Sequence, residues 1–127
     1  MPERFTRWCP AEVSGETASL VSLHDDRHGL TIRVEVSGRT IEIAFGVAVA
    51  FRSTLEESCA AFWPEFHSTK PGIGPFWTVE ESEWLASFSD ADLVHYPGAT
   101  HYLIVTDDER IDVIASRAPM ARVVDQR

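Results

Sequence analysis

Five consecutive residues, His24-Asp25-Asp26-Arg27-His28, bring together the side-chain types that ligate metals. The two imidazoles stand four positions apart, a spacing suited to one face of a helix. Gly29 and the flanking strand-like runs instead place them in a turn, and spacing identifies no third ligand. No metal or other cofactor is expected. His95 and His101 bracket Tyr-Pro-Gly-Ala-Thr, and His101 opens an apolar run. An imidazole there serves either as a base or as a hydrogen-bonded core residue, and the second is the plainer expectation. Cys59 and His101 have the types of a thiol nucleophile and its base. Cys59 falls, however, on an apolar helical stripe, where thiols are inert. Cys9 and Cys59 form no C-x-x-C pair and read as free thiols. G-x-S-x-G, P-loop and G-x-G-x-x-G signatures are absent. The chemistry-bearing residues thus point away from an enzyme.

The acidic side chains carry more information. The 127 residues hold 20 acids and 11 bases, a net charge of −9, which argues against a nucleic-acid binder because phosphate contacts need a basic face. The charge is regional. Residues 53–109 contain eleven acids and one base, Lys70, a balance of −10, whereas residues 1–52 sum to −1 and residues 110–127 to +2. Glu80, Glu81, Glu83, Asp90 and Asp92 form the densest part, beside Trp77. Carboxylates around an aromatic side chain have the composition of a docking face for a basic protein partner, with Trp77 as the anchor. A second possibility is a small-molecule-binding or enzymatic domain whose pocket, under a sheet, is lined by Trp84, Tyr102 and His101.

Several elements must position these residues. In LTIRVEV-SG-RTIEIAF, Ser37-Gly38 predicts a two-residue turn that sets Val34 opposite Ile41, Ile32 opposite Ile43 and Leu30 opposite Phe45. One face is then apolar, while the other pairs Arg33 with Glu42. Further strands are expected at 4–8, 18–26, 47–51 and 121–124. Thr54-x-x-Glu57 and Thr78-x-x-Glu81 have capping-box spacing, predicting two short helices. Leu55, Cys59, Phe62 and Phe66 would share a stripe of the first, with Trp63 beside it. Trp84, Leu85 and Phe88 would share a face of the second. In HYLIVTDDERIDVIAS, a loop at Asp107-Asp108-Glu109 keeps an apolar face intact by setting Val105 opposite Ile111, Leu103 opposite Val113 and His101 opposite Ala115. The expected fold is α+β in one domain, 1–127: a curved, mainly antiparallel sheet of five or six strands with two short helices inserted mid-chain.

VAVAFRSTLEES (47–58) and HYLIVTDDERIDVIASRAP (101–119) resemble small bacterial proteins of the immunity type, found beside polymorphic toxins. The resemblance spans about residues 45–119, rests on hydrophobic pattern and a few polar residues, and supplies no catalytic residues. It implies an acidic inhibitor that covers the basic cleft of a toxin, such as a nuclease. No apolar run approaches the ~18 residues of a spanning helix. MPERFTRWCP is charged and lacks the apolar core of a secretory signal. The expected protein is cytoplasmic, with no membrane and no nucleic-acid partner.

Overall fold

The computed structural model describes residues 3–8, 17–58, 66 and 74–124. Nine strands follow one another in these residues: β1 (Arg4–Arg7), β2 (Ser19–Asp26), β3 (Gly29–Val36), β4 (Arg39–Gly46), β5 (Ala50–Leu55), β6 (Phe76–Glu80), β7 (Thr100–Val105), β8 (Glu109–Ala115) and β9 (Met120–Val123). A single α-helical turn, α1 (Glu83–Ala86), lies between β6 and β7. The strands form two antiparallel sheets, one ordered β1-β6-β7-β8-β5 and the other β2-β3-β4-β9.

This corrects the α+β expectation. More than half of the described residues are strand, and no helix among them reaches seven residues. Both capping-box threonines lie on strands. Thr54 pairs with Arg110 on β8, and Thr78 pairs with Tyr102 on β7. Capping spacing reports only a local competition for amide protons, whereas β5 and β6 each gain a whole row of cross-strand partners. Within the described residues, the first expected helix is represented by a 3-10 turn at Glu56–Ser58 and by Phe66, which is helical. Its Cys59, Phe62 and Trp63 lie outside the described residues, as does Cys9. The second starts four residues late. Glu81 adopts a left-handed φ of 59° that ends β6, and Ser82 takes the N-cap.

The β3–β4 hairpin forms as its residues require. Ser37 and Gly38 both have positive φ, 52° and 77°, the two-residue turn whose twist matches the strands. Val34 pairs with Ile41, Ile32 with Ile43 and Arg33 with Glu42, but a bulge moves Leu30 opposite Gly46 instead of Phe45. Leu30, Ile32, Val34, Ile41 and Ile43 are fully buried against Tyr102, Ile104, Ile111 and Val113 of the five-stranded sheet. This contact is the main core, two sheet faces packed together. The outer face of the four-stranded sheet stays polar: Glu42 accepts from Arg33 and Arg122 at 2.9 Å each, and both hold its carboxyl below the usual range.

The β7–β8 register also departs from expectation. Leu103 faces Asp112 and Val105 faces Arg110, one residue away from the expected pairing. Asp107 and Asp108 make a two-residue turn closed by Thr106, whose amide donates to Glu109 O and whose hydroxyl donates to Glu109 Oε1 at 2.6 Å. Apolar alternation could not choose this register, because residues 101–104 and 110–115 are buried on both sides of the sheet. The second face carries its own small core of Phe5, Phe66, Trp77, Val79 and Leu103. His101 and Asp112 stand in that same layer.

Candidate functional site

Asp112 is the one acid in the apolar run IDVIA, and it is completely buried. A carboxylate at such a position must be ionised by partners or stay neutral. Its partners come from three strands. His101 on β7 donates from Nε2 to Oδ1 at 2.6 Å. Arg110, two residues back on β8, places Nε 2.9 Å from Oδ2 and Nη2 3.0 Å from Oδ1. Arg52 on β5, directly opposite in the ladder, adds Nε at 3.2 Å. Burial pushes the Asp112 carboxyl up, but the hydrogen bonds from His101 and Arg110 and the Arg110 charge together outweigh it and hold it below the ordinary range.

The network continues outward. With Asp112 accepting from Nε2, His101 Nδ1 takes the hydroxyl proton of Ser82, 2.7 Å away. Ser82 Oγ in turn accepts the amide of Leu85 at 3.0 Å and so caps α1. Trp84 on α1 covers the assembly, edge-on to His101 with centroids 5.3 Å apart and 4.2 Å beneath the Arg52 guanidinium. The chain Asp112–His101–Ser82 thus fastens residues 82–88 to the five-stranded sheet.

The side-chain types are those of a serine hydrolase, but the arrangement suits anchoring. His101 is fully buried, Ser82 nearly so, and the serine oxygen is engaged by the Leu85 amide. Two arginines also draw on the carboxylate that would otherwise support a base. Substituting Ser82→Ala removes a cap and the partner of a buried imidazole. The expected loss is about 1–2 kcal/mol in chemical denaturation. An unchanged midpoint would show that α1 is held by Trp84 packing alone.

Beyond this anchor lie the expected partner-binding carboxylates. Glu80, the last residue of β6, and Glu81, Glu83, Asp90 and Asp92 in the connection to β7 are all exposed. Glu80 is engaged by Arg4 at 2.7 Å and by the Thr6 hydroxyl at 3.1 Å, and Arg4 stands 4.0 Å from Glu81. Asp92 accepts the Ser89 amide, which lowers its pKa. Glu83 and Asp90 meet no cation among the described residues. Trp77 does not belong with them. It is wholly buried between Phe66 and the sheet and donates its indole N–H to Gly74 O, so it cannot serve as an exposed anchor. The strand period turns it inward, onto the face of β6 that packs against Phe66.

The expected pocket residues separate. Trp84 and His101 touch, but Tyr102 points to the opposite face of β7 and packs against Phe45 and Trp8. Tyr102 and His101 therefore lie on opposite faces of the five-stranded sheet. The 24–28 turn is held internally: Asp26 accepts from His24 Nε2 and from the His28 amide. Among the described residues no group of three or more His, Cys, Asp or Glu is placed to hold a metal ion. No described helix is long and apolar enough to cross a membrane.

Sequence reasoning missed Asp112, Ser82, Arg52 and Arg110. A signal for Asp112 was present, since a single acid within IDVIA demands buried partners. Compared with known proteins, the chain matches no family model, no curated protein and no solved structure.

Proposed function

We propose that this protein is a non-enzymatic binding domain of inhibitor or immunity type, which docks its acidic 80–92 segment on a basic protein partner such as a toxin nuclease. The observation that carries this reading is the exposure of Glu80, Glu81, Glu83, Asp90 and Asp92 on one segment. Its start is tied to the sheet through Ser82 and His101. A segment held in this way loses little conformational freedom on binding. Its charge would steer a cationic partner, raising association toward on the order of 10⁸ M⁻¹s⁻¹ at low salt. With Trp77 in the core, Val94 is the large apolar side chain exposed within this connection.

The test is capture from extracts of the native host at low and high salt, with the product of a neighbouring toxin gene as first candidate. A partner should elute as salt rises and be lost from the Glu80→Gln, Glu81→Gln, Glu83→Gln triple variant. Capture unaffected by the triple substitution would remove the acidic segment from the mechanism.

A further inference from the structure

A cleft of about 450 Å³ opens at the end of the sandwich where β4 and β8 finish. Four separate stretches of chain build it. His28 comes from the β2–β3 turn, Phe45 from β4, His95 and Tyr96 from the connection before β7, and Ser116 and Arg117 from the residues after β8. The volume is within the range of small-ligand sites. The lining pairs an apolar floor with hydrogen-bond donors of several kinds. Phe45 is almost fully buried, its ring packed against Tyr102 and Trp8, so the floor is part of the rigid core.

Most of these donors make no hydrogen bond or ion pair among the described residues. Arg117 forms no ion pair among the described residues, although the chain carries a net charge of −9. The His28 and His95 rings make no hydrogen bond there either. Asp26, on the same turn, accepts from His24 and from the His28 amide and also interacts electrostatically with the His28 ring, but it does not line the cleft. Arg117, His28, His95, Tyr96 and Ser116 therefore line one volume, and no carboxylate is among the residues that line it.

We propose that this cleft binds a small organic phosphate, with the phosphoryl oxygens on Arg117, the two imidazoles and the hydroxyls, and the organic body over Phe45. A carboxylate offers two oxygens, whereas a phosphate monoester offers three terminal oxygens and a charge of about −1.5 to −2 near neutral pH. The number and spread of the donors fit the larger anion. The inference is independent of the docking function, since none of these residues belongs to the 80–92 segment.

Titration of isotope-labelled full-length protein with phenyl phosphate, followed by amide chemical shifts, tests it. Saturable shifts are expected at Gly46, Tyr96 and Arg117, and Arg117→Gln should weaken binding about tenfold or more. Arg117 is exposed and unpaired among the described residues, so the variant should keep the wild-type urea midpoint. Arg122→Gln, on the outer face of the four-stranded sheet, should bind as the wild type does. Benzoate and inorganic phosphate should both bind more weakly than phenyl phosphate. Equal binding of benzoate would overturn the phosphate assignment, and equal binding of inorganic phosphate would overturn the role of the Phe45 floor. The absence of saturable shifts, or affinity unchanged in Arg117→Gln, would overturn the site.

Discussion

Replacing Asp112 with alanine is expected to cost about 3–5 kcal/mol of folding free energy, the range seen when one partner of a buried ion pair is removed. The carboxylate is fully buried, and it is the common acceptor for His101, Arg110 and Arg52. Its loss leaves Arg110 charged in a buried layer and removes the acceptor that fixes the His101 ring. That cost is a large fraction of the ~5–15 kcal/mol that holds a typical domain together. Urea denaturation reads it directly. A loss below about 1 kcal/mol, the size of an exposed pair, would mean that the cluster is not coupled to folding.

The same group contributes a defined pH dependence. Its pKa lies below the ordinary 3.8 in the folded protein. Its contribution is therefore complete above that value and disappears as pH falls through the lower folded value. Acid titration of stability should show a steeper fall below pH 3.8 in the wild type than in Asp112→Ala. Asp112→Asn separates the two components, since the amide keeps an acceptor for His101 and loses the charge that offsets the arginines.

The second large effect is expected at Gly29. Its φ is +120°, and a Cβ there would lie 2.2 Å from the Gly46 carbonyl oxygen and 2.7 Å from the Gly46 Cα. Those are backbone atoms at the bulge where Leu30 pairs with Gly46, so they cannot turn aside as a side chain could. Gly29→Ala should cost on the order of 3 kcal/mol, combining an unfavourable backbone conformation with forced separation of β3 and β4. Gly46→Ala provides the comparison. Gly46 also has positive φ, 65°, but nothing lies within 4 Å of its added Cβ. It should cost only the left-handed conformation, about 1–2 kcal/mol. Equal losses for the two variants would show that the close approach at Gly29 relaxes freely.

These two residues also illustrate what could be read from the chain. The β3–β4 hairpin was legible because one of its faces is buried and the other carries matched charges, which ties register to side-chain type. Even there the slip that sets Leu30 opposite Gly46 was not legible, because a bulge's register depends on how the strand end meets its neighbours. The β7–β8 hairpin lost its register by one residue because both its faces are buried and alternation disappears. The helices failed for a different reason. Thr54 and Thr78 stand at good capping spacing, yet their segments find long-range partners on β8 and β7, and pairing overrides a local preference. Trp77 followed that error inward. The acidic segment was visible as a charge run, but its anchor was not. Arg52 and Asp112 are 60 positions apart in sequence and meet only through the β5–β8 ladder.

That ladder also governs the order in which the fold can be completed during synthesis. The β2–β3–β4 meander closes through short turns, so it can form soon after residue 46 leaves the ribosome. Its outer strand β4 must then wait for β9, whose Arg122 meets Glu42 across 80 positions. β5 likewise waits for β8, and β1 for β6. At about 5–20 residues per second, these edges stay unpaired for seconds, against microseconds for a local hairpin. During that interval the nascent chain presents the open edge of β4 and the side chains of Ile41 and Ile43 without their opposing sheet. The emerging chain is therefore most exposed to wrong strand pairing after β4 is made and before β8 and β9 arrive.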